Sequence, residues 1–226
     1  GCLSEYLVMP EHCCVKLPKG MSAEEGALSE PLAIGYYAVR LAALPPKPRI
    51  AILGAGPIGL SVMVAARYLG AQAVYMTDRI PARVDGAAAH GADWAGNPDK
   101  TDVVKAISER EPLLLDAVFE CAGQPETVDQ GIRMVKPGGK LMLIGIPRND
   151  RVSFDISLAR RQEICIQNVR RQNECVEATL EMMASEKAPV GFMVTHRFPF
   201  EQSKEAFDLV ANYRDGVVKA MIHLDK

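Results

Sequence analysis

The stretch Gly54-Ala55-Gly56-Pro57-Ile58-Gly59 constrains this chain more than any other. It follows a four-residue apolar run at 50–53, which reads as a buried strand, and opens a stretch that reads as helix to about residue 69. In that context each glycine has a mechanism. Gly54 makes a tight turn, Gly56 lets the backbone approach a pyrophosphate, and Gly59 lets helix and strand pack closely. The free N–H groups of the helix N-terminus then face the phosphates. Pro57 lacks an N–H but sits in the first helical turn, where its fixed φ suits the helix. Asp78 falls 19 residues after Gly59, at the end of a second strand expected at 73–77. A carboxylate there accepts both ribose hydroxyls of NAD and repels the 2′-phosphate of NADP, a repulsion that Arg79 next to it can blunt. The alternatives are a glycine-rich turn without any dinucleotide, or an S-adenosylmethionine-type loop, which usually lacks the third glycine.

The remaining text alternates in the same way. Helices are expected at 81–90, closed by Gly91, at 101–110 and at 125–135, the last ended by Pro137-Gly138-Gly139. Strands are expected near Asp93-Trp94 and at 116–121, 140–145 and 164–167. This β-α alternation predicts an α/β fold, a doubly wound parallel sheet with helices on both faces. Residues 1–29 read as a β-rich entry, with strand-like runs around Leu3, Tyr6 and Val8 and at 13–17. An apolar, alanine-rich stretch follows at 26–44, with Pro31 placed to start a helix. After Asn168 the expected order is helix 174–185, strand 192–195, helix 202–213 and strand 217–223.

With 26 Lys plus Arg against 28 Asp plus Glu, the net charge is −2. No basic block is present, which argues against nucleic acid or an anionic membrane as partner. The longest uncharged run, 50–66, holds 17 residues but includes three glycines, a proline and a serine. A bilayer span needs about 20 mainly apolar residues. Cys2, Cys13, Cys14, Cys121, Cys165 and Cys175 form no C-x-x-C pair. Their scatter suits buried thiols in a reducing, cytoplasmic setting without disulfides. No signal-peptide pattern is seen, and the text opens at Gly1 already strand-like, which suggests a preceding segment.

Three motifs together resemble the zinc-type medium-chain dehydrogenase/reductase family: Gly26-Ala27-Leu28-Ser29-Glu30-Pro31-Leu32, the glycine loop, and Val135-Lys136-Pro137-Gly138-Gly139-Lys140. The tail Val194-Thr195-His196-Arg197-Phe198-Pro199-Phe200-Glu201, with Glu205-Ala206-Phe207 and Val218-Lys219-Ala220-Met221-Ile222, is similar to the sorbitol (polyol) dehydrogenase branch. The resemblance implies a Rossmann NAD-binding domain at 31–167. It makes 1–30 a remnant of a GroES-like, β-rich catalytic domain and 168–226 the return to it. It implies an NAD-dependent alcohol or polyol dehydrogenase that moves a hydride from a secondary alcohol to NAD, present as a truncated chain.

The resemblance also assigns residues. Glu30 matches the glutamate that approaches the catalytic zinc, and Arg170 an arginine that contacts substrate hydroxyls, although Arg171 stands where the family usually has tyrosine. Glu30 also reads as a helix-start carboxylate stabilised by the macrodipole. Cofactor contacts are implied for Gly54, Gly56, Pro57, Ile58, Gly59, Asp78, Arg83, Cys121, Ala122, Gly145, Ile146 and Val169. Arg83 is expected to brace the adenosine ribose, and Gly145-Ile146 to hold the nicotinamide carboxamide. Zinc is implied, yet the family's Cys and His-Glu zinc motifs have no counterpart in this chain. A small alcohol or polyol is the expected substrate and a homo-oligomer the expected assembly. Two other readings stay open: a catalytically silent dinucleotide-binding module, and a zinc-independent NADPH reductase of the same fold.

Overall fold

A computed structural model describes residues 3–147, 149, 151–185 and 187–224. Its organising element is the strand before the glycine loop, β1 (Arg49–Leu53), whose last four residues are buried. Alternation along β1 feeds both faces of a sheet. Ile50 and Ile52 enter one apolar cluster, while Ala51 and Leu53 enter the other. A strand buried on both faces belongs in the middle of a parallel sheet. β1 accordingly pairs in parallel with β2 (Ala73–Thr77) on one side and β4 (Leu115–Glu120) on the other. With β3 (Trp94–Gly96), β5 (Val135–Leu143) and β6 (Cys165–Asn168), the sheet runs β3-β2-β1-β4-β5-β6. This is the strand order of the dinucleotide-binding fold, as the alternation predicts.

The crossovers are α2 (Pro57–Tyr68), α3 (Pro81–Ala89), α4 (Val103–Arg110) and α5 (Pro125–Met134). α1 (Ala23–Ala42) lies against α2 so closely that a Cβ on Gly35 would come 2.4 Å from the backbone of Ser61. α6 (Ile156–Arg161) leads into β6, and α7 (Val176–Ala184) packs on α1 and buries Met182. β7 (Val194–Pro199), α8 (Ser203–Ala211) and β8 (Lys219–His223) form a second unit in which the two strands are parallel.

Several expectations are corrected. The entry at 3–22 forms no strand; its only regular element is a 3-10 turn at Glu11–Cys13. Tyr6 and Val8 are 90% and 97% exposed. A strand holds its shape through a partner's N–H and C=O groups, and no described residue pairs with this run. Pro31 does not start α1 but lies buried inside it. Ser22 accepts from the Glu25 N–H, and the Glu25 carboxylate accepts from the Ser22 N–H; this capping box starts the helix earlier. Glu30 is therefore no helix-start carboxylate. Pro137-Gly138-Gly139 falls within β5, where the register with β4 shifts. α6 is short enough to leave no periodic signal. Cys13, Cys14 and Cys165 are exposed, not buried; Cys175 is buried, and all are free thiols, as is Cys121. Cys2 lies outside the described residues.

Candidate functional site

The carboxyl ends of β1, β2, β4 and β5 lie around the point where strand order reverses between β1 and β4, the position at which such sheets bind ligands in a crevice. Gly54 turns the chain there at φ +108°, and its N–H donates to the Thr77 carbonyl at 2.8 Å. A side chain on Gly59 would run into the Gly54 carbonyl oxygen. Gly56 caps α2 with no side-chain partner. A Cβ there would meet only Nη1 of Arg83, at 3.4 Å, so Gly56 faces open space next to a guanidinium. Three glycines therefore do three jobs: turn, open cradle and close packing.

Asp78 is tied to this loop. Its Oδ2 accepts from the Ala55 N–H at 2.8 Å and its Oδ1 from the Ile80 N–H at 2.9 Å, which fixes the carboxyl group at the end of β2. Arg79 turns away: its Nε donates to Asp99 at 2.9 Å. Arg83, on α3, donates from Nη2 and Nε to the Val217 carbonyl at 2.8 and 3.3 Å. Its guanidinium lies 5.3 Å from the centre of the Tyr213 ring.

On the other side of the crevice the organising group is Glu120, which sequence reasoning passed over. It is 2% exposed at the end of β4. Its Oε1 accepts from the N–H groups of Ala122 and Gly123 and from the Thr127 hydroxyl, at 2.7–2.8 Å. Its backbone carbonyl accepts from Ile144 and Gly145, both at 2.9 Å. A Cβ on Gly145 would come 2.3 Å from the Gly123 nitrogen and 2.6 Å from Glu120 Oε2. One residue thus fastens two turns, Cys121-Ala122-Gly123 through its carboxylate and Gly145-Ile146 through its backbone carbonyl, and Ile146 is left 91% exposed. Burial pushes the Cys121 thiol well above its ordinary range, with the Glu120 charge adding to the effect. The available signal was a single carboxylate in the apolar text Ala117-Val118-Phe119-Glu120-Cys121.

Val169 is buried, and its N–H donates to the Leu143 carbonyl. Arg170 follows at the surface, while Glu30 is exposed midway along α1. Neither side chain makes a hydrogen bond or ion pair with a described residue. Among the described residues no three His, Cys, Asp or Glu side chains converge as a metal site would require. The histidines are engaged elsewhere: His90 stacks on Phe192 at 4.1 Å, and His196 contacts Thr195 and Asp215.

The family model described as zinc-binding dehydrogenase matches residues 57–185. An uncharacterised zinc-type alcohol dehydrogenase-like protein of Escherichia coli, YdjJ, is 35% identical over 99% of this chain and 64% of its own length. Sorbitol dehydrogenase of Bos taurus is 34% identical over 92% of this chain and 59% of its own length. The chain thus spans under two thirds of each of these relatives. A solved structure from Sinorhizobium meliloti, described as a zinc-binding dehydrogenase bound to NADP, superposes with a TM-score of 0.90 at 28% identity. That match covers 98% of this chain and 66% of the other. No helix of the described residues is long and apolar enough to cross a membrane.

Proposed function

The chain belongs to the zinc-binding dehydrogenase family, and from that premise we propose that it holds the nicotinamide dinucleotide of an oxidoreductase acting on a small alcohol or polyol, with NAD preferred over NADP. The observation that carries this reading is the Asp78 carboxyl group, pinned by two backbone N–H groups beside the glycine loop, with Arg79 drawn off to Asp99. A 2′-phosphate would meet an acidic group whose neighbouring cation is already paired.

The residues present fit the dinucleotide: Gly56 leaves a cradle that a Cβ would narrow, beside an uncapped helix N-terminus. Gly54, Gly56, Pro57, Ile58 and Gly59 would border the pyrophosphate, and Asp78 would accept from the adenosine ribose. Cys121, Ala122, Gly145, Ile146 and Val169 would border the nicotinamide half. Bound NAD supplies a hydride acceptor. Glu30 and Arg170 would face the alcohol. The described residues do not fit zinc, because Glu30 has no companion ligands, so no step is routed through a metal. In this reading 31–167 forms the cofactor domain, and 1–30 and 168–226 belong to the catalytic domain. The assembly is a homo-oligomer and the setting cytoplasmic.

Binding is tested by NADH fluorescence on addition of the chain. Enhancement reversed by NAD and not by S-adenosylmethionine is expected; displacement by S-adenosylmethionine alone would overturn the dinucleotide reading. The chemical half is tested by NADH formation from NAD with sorbitol, xylitol and simple secondary alcohols, zinc added. Turnover upholds alcohol oxidation by this chain. A folded, NADH-binding chain that oxidises none of them is a dinucleotide-binding module, the reading that the absence of a metal-ligand cluster among the described residues favours.

A further inference from the structure

Glu120 carries a charge that its described neighbours do not balance. The residue is 2% exposed, and none of the ion pairs among the described residues includes it. Oε1 is well supplied. The Ala122 and Gly123 N–H groups donate to it at 2.8 and 2.7 Å, and the Thr127 hydroxyl, in the first turn of α5, stands at 2.8 Å. Oε2 has no donor among the described residues and faces the other turn, where a Cβ on Gly145 would stand 2.6 Å from it. Ala122 and Ile146, one from each turn, are exposed, so the carboxylate is buried at a rim and not in the core. The Cys121 thiol beside it is pushed up, by burial first and by the Glu120 charge second, so this anion already acts on its surroundings.

A carboxylate out of water is costly unless opposite charge offsets it. Two N–H dipoles and the start of α5 supply part of that offset, and no described side chain supplies the rest. Resting on the dinucleotide reading, we propose that Glu120 discriminates between the oxidation states of the cofactor: it is the counter-charge of the oxidised nicotinamide ring and raises the affinity for NAD+ relative to NADH. Glu120 ends β4, across β1 from Asp78 just past β2, so one carboxylate serves the adenosine half and the other the nicotinamide half. Of the groups that this reading brings to the strand ends, the pyridinium alone is cationic; the alcohol is neutral and the pyrophosphate anionic. Taking up a hydride discharges the ring. A fixed anion in a poorly solvated position therefore favours the oxidised ring, while it bears equally on the rest of the molecule in both forms. It needs no contact with the reacting carbon to do so.

The test is competitive binding to the 226-residue chain of NAD+, NADH, ADP-ribose, which lacks the ring, and benzamide adenine dinucleotide, whose ring is neutral. The unchanged chain should bind NAD+ roughly tenfold tighter than the benzamide analogue, the order expected of unit charges about 10 Å apart at an effective dielectric of about 20. Glu120→Gln keeps an acceptor for both N–H groups and removes the charge. It should weaken NAD+ by about that factor and leave NADH, the benzamide analogue and ADP-ribose within about twofold. If Glu120→Gln does not fold, the comparison of NAD+ with the benzamide analogue in the unchanged chain decides alone. Equal affinity for those two, a Glu120→Gln chain that binds NAD+ as before, or a loss shared by NAD+, NADH and the analogue overturns the charge role and leaves Glu120 as a tie between two turns. Binding of neither NADH nor ADP-ribose by the folded, unchanged chain overturns the dinucleotide reading itself, a result distinct from any of these.

Discussion

At the scale of single residues, two carboxyl groups organise the crevice, and only one is legible in the text. Asp78 stands at a fixed interval from the glycine loop at the end of a strand, and backbone donors hold it where that spacing predicts. Replacing it with Ser should weaken NADH by at least about tenfold, worth about 1.4 kcal/mol, and should narrow the gap to NADPH; parallel titrations of the two cofactors check this. Glu120 is hidden because its partners are backbone groups and one hydroxyl, which a sequence does not display. Glu120→Ala would strand the Ala122 and Gly123 N–H donors in a nearly dry position, while the Thr127 hydroxyl keeps the Gln124 carbonyl as acceptor. Buried unsatisfied groups cost about 1–3 kcal/mol each, so a loss of about 3 kcal/mol in urea unfolding is expected, whereas Glu120→Gln should lose less. Glu30 and Arg170 illustrate the reverse: the resemblance singles them out, but their own surroundings supply no bond that would have done so.

At the scale of elements, the parts of the text with a strict local mechanism come through with small errors in length. The strand at 73–77 is placed as expected, and the helix after the glycine loop ends one residue early. Two departures share a cause: a local signal stands beside a stronger one. Pro31 suits a helix start, but the capping box of Ser22 and Glu25 begins α1 eight residues sooner and Pro31 is absorbed into the interior. Pro137-Gly138-Gly139 suits a stop, and α5 does end at Met134, but β5 begins at once at Val135 and carries these residues through a register shift against β4. The contact of α1 with α2 is another matter that only packing shows. Gly35→Ala must push a methyl into the Ser61 backbone. Overpacking of this kind costs about 1–3 kcal/mol, and chemical denaturation should show it; unchanged stability would mean that the two helices do not approach so closely.

At the scale of the whole molecule, Glu24 joins the first helix to the last sheet. Arg197 grips its carboxylate with bonds of 2.8 and 2.6 Å, and His223 stands 3.4 Å away out of hydrogen-bond geometry. Chiefly through the Arg197 bond, the Glu24 carboxyl is held below its ordinary value of 4.5. A depressed folded value means that this stabilisation is present above pH 4.5 and is lost as pH falls through the folded value. Unfolding midpoints measured from about pH 7 to about pH 3 should therefore drop on the acid side, and Glu24→Gln should remove part of that slope. The same tie links the two stretches, 1–30 and 168–226, that the resemblance assigns to one unit although they lie at opposite ends of the text. What the text did not show is that residues 213–217 also reach back to α3, where Arg83 donates to the Val217 carbonyl and lies near the Tyr213 ring, because a carbonyl and an aromatic face carry no spacing signal.

Calorimetric titration of the unchanged chain with NADH and then NADPH, under one buffer and salt condition, bears on the dinucleotide crevice with the fewest intervening assumptions. One saturable site for NADH, with NADPH weaker by about tenfold or more, is the expected result. Heat from neither cofactor with folded protein, or NADPH binding as tightly as NADH, would contradict the role of the glycine loop and Asp78 in holding and selecting the dinucleotide.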